Sequence, residues 1–238
     1  MLRLFIFLIA ITTSVQLSAQ SVEKVLDKYF TNTGGADNWK RLKSTQIDGK
    51  MAMQGFEFPG TVINKAPNKM RAEVNVQGMK IVQAYDGTTA WWINPFASGE
   101  EAQVMPDEMS ESLTNQELES PFLDYAAKGH KVDYEGEGEI EGTKTQILKL
   151  TKKNGDVEYH YFDSEYFVPV MTKTMVKNGP MKGQFTETYM SDYQEVDGLM
   201  FPFFMETKMD GQTVQKMVIS SMKTNVEAAD ELFAFPKK

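Results

Sequence analysis

Between positions 46 and 96 apolar and polar residues alternate in short runs, broken at Gln54-Gly55, Ala66-Pro67-Asn68, Gln77-Gly78 and Asp86-Gly87. Alternation with period two predicts half-buried β-strands, and a two-residue loop sets their register because its flanking residues must face each other. A Gln54-Gly55 loop places Met53 opposite Phe56, Met51 opposite Phe58, Gly49 opposite Gly60 and Ile47 opposite Val62. Asp48, Lys50 and Glu57 then point to the other side. The Gln77-Gly78 loop pairs Val76 with Met79 and Val74 with Ile81, and an Asp86-Gly87 loop sets Ile81 opposite Trp92. One antiparallel sheet with a broad apolar face follows.

Helical spacing occurs in two places. Val22, Val25, Leu26, Tyr29 and Phe30 form a stripe that Gly34-Gly35 ends, and Asp37 begins a short second piece carrying Trp39 and Leu42. This stripe is expected to cover the sheet face just derived. Residues 97–103 read as a polar turn region, and 105–128 as one or two helices starting at Pro106-Asp107 and interrupted at Pro121. After position 130 the hairpins resume. Residues 135–142 read as an acidic, glycine-rich loop, and Asn154-Gly155 is expected to pair Leu148 with Tyr161 and Lys149 with His160, leaving the histidine on a polar side. Four further strands, near 168–177, 184–193, 199–208 and 213–222, bring the total to about eleven or twelve.

The Lys65-Ala66-Pro67-Asn68-Lys69-Met70-Arg71 corner, Tyr85-Asp86-Gly87 and Trp91-Trp92-Ile93-Asn94-Pro95 resemble the outer-membrane lipoprotein-sorting family (LolA/LolB-like). Ala229-Asp230-Glu231-Leu232-Phe233-Ala234-Phe235 is similar to the closing motif of that family. The resemblance spans nearly all of residues 21–238, which are expected to form one domain. It implies a mainly β fold, an incompletely closed antiparallel barrel whose concave apolar face is covered by helices. It also implies a non-enzymatic periplasmic carrier that holds lipoprotein acyl chains or another lipid and works as a monomer. An inner-membrane transporter loads such a carrier and an outer-membrane receptor empties it. In the carrier branch an arginine before the corner proline latches the lid; here that position is Ala66, which removes the latch from the reading.

Composition narrows the classes further. Residues 1–20 read as a cleavable secretory leader, with Arg3, an apolar run from Leu4 to Ile11 and a Leu17-Ser18-Ala19 exit. The apolar run is short of the ~18 residues of a membrane anchor. With no cysteine there is no lipidation site, disulfide or thiol nucleophile. Without Arg3, 24 basic residues stand against 33 acidic ones, a net charge of −9, which disfavours nucleic acid and anionic membrane surfaces. Two histidines, His130 and His160, lack metal-ligand spacing, and no phosphate-loop or nucleophile-elbow motif occurs. Asp133, Glu135, Glu137 and Glu139 lack the order of a calcium loop and read as a solvated turn. No cofactor is expected.

The unusual feature is apolar: sixteen methionines. Such residues either fill an irregular core or line a surface adaptable to ligands of varied shape; the family resemblance favours the second. The expected cavity residues are Met51, Met53, Phe56, Phe58, Met70, Val74, Val76, Met79, Ile81 and Trp92, with Leu113, Leu118 and Phe122 as lid candidates.

Overall fold

The computed structural model describes residues 21–53, 55–114, 117–177 and 182–236. The expected leader and the loop residue Gln54 lie outside the described residues. Among these, thirteen strands form one antiparallel sheet: β1 Ser44–Met53, β2 Phe56–Lys65, β3 Lys69–Val76, β4 Met79–Tyr85, β5 Ala90–Asn94, β6 Gly99–Val104, β7 Lys131–Ile140, β8 Thr143–Thr151, β9 Val157–Asp163, β10 Pro169–Met175, β11 Phe185–Val196, β12 Leu199–Met209 and β13 Gln212–Thr224. Their order is β6-β5-β4-β3-β2-β1-β13-β12-β11-β10-β9-β8-β7. Hairpins account for most neighbours; the long-range step is β1 against β13, which joins the first half of the chain to its end. β6 and β7 are the two free edges, so the curved sheet remains an unclosed barrel.

Tight X-Gly loops explain most of the registers. Gln77-Gly78, Glu141-Gly142, Asp197-Gly198 and Asp210-Gly211 all place both residues at positive φ, the geometry that matches the strand twist. Accordingly Met53 faces Phe56, Met51 faces Phe58, Val76 faces Met79 and Val74 faces Ile81, as the sequence predicts.

Two hairpins depart from expectation. The β4–β5 loop is Gly87-Thr88, one position later than predicted. Asp86 Oδ1 accepts hydrogen bonds from the Thr88 and Thr89 N–H groups, and Gly87 takes φ +96 as the first loop residue. Trp92 therefore sits opposite Gln83 rather than Ile81, still on the same face because the offset is even. The β8–β9 loop has three residues, since Lys152 N–H bonds to Asp156 O (2.7 Å) and Gly155 N–H to Lys152 O (2.9 Å). An odd offset exchanges faces. Leu148 pairs with His160 and Lys149 with Tyr159, so His160 is buried with Leu148, Leu150 and Phe162.

Two stretches expected to be loops are strands. Residues 99–104 form β6 against β5. The acidic run is the outer half of β7, carried past a bulge at Glu135 by Gly136 at φ +111. An edge strand with one solvated side tolerates alternating charge and glycine; the acidic run lengthens β7, and β6 raises the count to thirteen.

Among the described residues three short helices cover part of the concave face: α1 (21–32), α2 Ala36–Arg41 and α3 Asp107–Thr114. The α1 stripe, Val22, Val25, Leu26 and Tyr29, packs with Phe122 on Leu148, Leu150 and Phe162 of β8 and β9, not on the first hairpins. Trp39 of α2 and Leu42 pack with Leu123 on Leu199, Phe201, Phe203 and Ile219. Leu113 of α3 covers Met70, Tyr85, Ala90 and Met105. The far ends of β1–β4 stay uncovered.

Candidate functional site

Three parts of the concave face bear on function: a half-open cavity at the Pro67 corner, an exposed apolar end, and a polar cleft beside the cavity. The cavity has a volume of about 220 Å³ and lies between the starts of β1 and β3, the β12–β13 pair and residues 117–118. Ile47, Met70, Leu118, Phe201 and Met222 are its apolar walls, while Thr45, Asn64, Asn68, Lys69 and Glu117 complete the lining. The wall amide is satisfied, since Asn64 Nδ2 donates to Thr45 Oγ1 at 3.2 Å. Leu118 N–H donates to Pro67 O at 3.3 Å, tying the covering segment to the corner through backbone alone. Ala66 has no side chain to offer such a tie, and this one needs none.

From the cavity, the same face continues along β1 and β2 across the Gly49–Gly60 pair. A Cβ at Gly49 would lie 2.4 Å from Val218 O, and one at Gly60 2.8 Å from Glu73 O. The sheet coils too closely there for a side chain, which leaves the floor bare between cavity and open end. Beyond it Met51 faces Phe58 and Met53 faces Phe56, beside Val74, Val76, Met79 and Ile81. The Phe56 and Phe58 rings stack at 6.4 Å. Met53, Phe56 and Met79 are 43%, 67% and 37% exposed, an apolar surface that a folded sheet does not leave bare without cause.

The sequence-predicted site residues therefore separate into groups. Met70 and Leu118 line the cavity; Trp92 packs half-buried on the cluster around Met70, and Leu113 covers that cluster. Phe122 is core beneath α1, 4.8 Å from the His160 ring. The other eight form the open end. Sequence reasoning missed Phe201 and Met222 as walls because they arrive through the β1–β13 pairing, in which Ile47 meets Met222; no local signal reports that contact.

The polar cleft, of about 460 Å³, shares Asn68 and Glu117 with the cavity and is further lined by His130, Lys152, Lys153 and Asn154. His130 Nδ1 accepts the Lys153 N–H at 3.1 Å. Burial lowers the His130 pKa below its ordinary value, against the opposing pull of Glu117. Lys152 is engaged by Glu158 at 2.6 Å, and Glu158 also meets His160 Nε2 at 3.0 Å. Burial pushes the Glu158 carboxyl up, but hydrogen bonds and charge from His160 and Lys152 outweigh it and hold the pKa at about 2. Among the described residues no group of three or more histidine and acidic side chains could hold a metal ion.

On the convex face, the corner and closing motifs meet each other. Lys65 Nζ donates to Ala228 O (2.7 Å) and Asp230 (2.6 Å), and Lys69 pairs with Asp230 at 3.0 Å. Arg71 donates to Leu232 O at 2.9 Å while held by Glu73, and Trp91 Nε1 donates to Phe233 O at 2.8 Å. Phe235 caps Trp91 edge-on at 6.1 Å. These motif residues clamp the closing segment to the sheet.

This unclosed antiparallel sheet with helices over its concave face has the fold of several solved structures. The chain is similar to a LolA superfamily protein from Nitrosomonas europaea (TM-score 0.58, 13% identity, 91% of this chain and 97% of that one). It is also similar to a putative outer membrane lipoprotein-sorting protein domain from Vibrio parahaemolyticus (TM-score 0.56, 8% identity, 88% and 94%). A DUF1329 family protein from Desulfovibrio piger aligns equally well (TM-score 0.58, 14% identity, 90% and 97%). No protein-family model matches the sequence, and none of the curated proteins does. Among the described residues no helix is long and apolar enough to cross a membrane.

Proposed function

We propose that this chain is an exported carrier of the cell envelope that shelters an acyl chain on its concave face, lipoprotein acyl chains being the cargo the fold suggests. The observation that carries the reading is the continuity of an apolar face from a cavity of about 220 Å³ at the Pro67 corner to the exposed Met53, Phe56 and Met79. By proportion with a 150 Å³ apolar cavity that holds benzene, the cavity accepts about nine carbons. At about 0.8 kcal/mol per methylene that contact gains about 7 kcal/mol, and extending a sixteen-carbon chain over the open end raises the gross gain to about 12 kcal/mol. Association costs at least about 4 kcal/mol, so cavity and exposed end together give micromolar binding and the cavity alone only millimolar. Micromolar binding suits a protein that must hand its cargo on.

Displacement of a fluorescent fatty acid by palmitate tests the reading. Wild type is expected to bind in the micromolar range. Phe56→Asp, at an exposed position that leaves the fold intact, and Ile47→Phe, which fills the cavity, should each weaken binding about tenfold, the loss of two methylene equivalents. A wild type that binds no acyl probe, or variants that bind as tightly as wild type, would sink the proposal. The small cavity volume and the absence of an arginine latch at Ala66 favour, as a second reading, a single-chain amphiphile over a multiply acylated lipoprotein. Competition between palmitate and an acylated lipopeptide separates the two.

A further inference from the structure

The polar cleft adjoining the cavity has a charge balance that its position makes meaningful. It shares the Asn68 and Glu117 walls with the apolar cavity, so the two spaces adjoin. Most charged groups around the cleft are already matched. Lys152 holds Glu158 at 2.6 Å, and Glu117 holds Lys128 at 3.4 Å, with Lys128 also on Glu119 at 2.6 Å. Lys153 is different. Among the described residues its ammonium has no carboxylate within ion-pair distance. Its stem lies along Gly129, where a built Cβ would come 3.4 Å from Lys153 Cδ.

His130 beside it is matched on one side only. Its Nδ1 accepts the Lys153 N–H, so the neutral ring carries its proton on Nε2. That Nε2–H is buried and has no acceptor among the described residues. Lys153 and His130 both line the cleft, and the unmatched ammonium of one and the unmatched donor of the other both want oxygen that the protein does not supply.

We infer that the Lys153–His130 cleft is a headgroup subsite for a single-chain amphiphile bearing an anionic oxygen head, a carboxylate or a phosphate monoester, whose chain enters the Pro67 cavity. This inference rests on the carrier reading and adds the head chemistry to it. Glu117 stands at the boundary between the two spaces and, kept matched by Lys128, sets the minimum distance from head to chain.

The experiment compares decanoate, decyl phosphate and decanol by calorimetry on the full chain, in wild type, Lys153→Gln and Lys153→Arg. Lys153 is exposed on the β8–β9 loop, so neither variant disturbs the fold. Wild type is expected to bind at least one acid about fivefold more tightly than decanol, the gain of one partly exposed charge pair, and the stronger acid identifies the head. Lys153→Gln should erase that preference without changing decanol binding, Lys153→Arg should restore it, and added salt should shrink it. Equal binding of all three by wild type overturns the subsite while leaving the carrier reading intact; so does a Lys153→Gln variant that keeps the preference. Failure of wild type to bind even decanol overturns both.

Discussion

Gly34 and Gly35, at the corner between α1 and α2, look alike in sequence and differ sharply in surroundings. Both have positive φ, +107 and +91. A Cβ at Gly35 meets nothing within 4 Å, whereas one at Gly34 would lie 1.9 Å from Gly198 O and 3.1 Å from Leu199 Cα, backbone atoms of the β11–β12 turn. Gly35→Ala should therefore cost only the conformational strain, about 1–3 kcal/mol. Gly34→Ala adds a clash that no side-chain rotation relieves: restoring ordinary contact at about 3.4 Å moves the corner roughly 1.5 Å off the turn. That shift breaks the Met200 N–H bond to Thr33 O at 3.2 Å and loosens Trp39 from Phe201, whose rings are 5.3 Å apart. One hydrogen bond and part of an aromatic contact bring the total to about 3–5 kcal/mol. In urea unfolding followed by circular dichroism, Gly34→Ala should melt roughly 1 M below Gly35→Ala. Equal midpoints for the two variants would refute the claim that the helical cover is pinned to the β11–β12 turn at Gly34.

Two further predictions concern the walls of the fold. Glu158 has a folded pKa of about 2, below its unfolded value, so its contribution to stability is complete above pH ~4.5 and is lost as pH falls toward 2. Wild type should lose on the order of 2 kcal/mol across that window, and Glu158→Gln should flatten it while lowering stability at pH 7 by about 3 kcal/mol, since Lys152 is left unmatched; thermal melts from pH 2 to 7 read both effects. Trp91→Phe leaves the Phe233 carbonyl without its donor and should cost about 1–3 kcal/mol. Proteolysis should then release the 229–236 segment first, whereas Trp92→Phe, on the concave face, should cost under about 1.5 kcal/mol and leave that segment protected.

Much of this architecture was written locally. Val76 must face Met79 because Gln77-Gly78 can turn in two residues, and the same chemistry at Asp210-Gly211 pairs Met209 with Gln212. Alternation then places most apolar residues of β1–β4 on one side, so the existence of a broad apolar face follows from neighbours in sequence alone. Where the loop was ambiguous, so was the face. Asn154-Gly155 suits a two-residue turn on paper, but Lys152 bonds to Asp156 across a three-residue loop, and that one-residue difference carried His160 from the solvent side to the core.

Other features depended on contacts between segments far apart in the chain. The α1 stripe announces that it will be buried, yet nothing in its spacing selects β8 and β9 over β1–β4; the choice is made by Phe122, Leu148 and Phe162 meeting it from elsewhere. The cavity at the Pro67 corner needs Ile47 of β1 and Met222 of β13 brought face to face, and the adjoining cleft needs the β8–β9 loop against His130. Hydrophobic period and turn chemistry are one-dimensional signals, and they determine which residues lie on which face. A cavity is the volume left between faces, and only the three-dimensional packing decides where that volume lies and which side chains wall it.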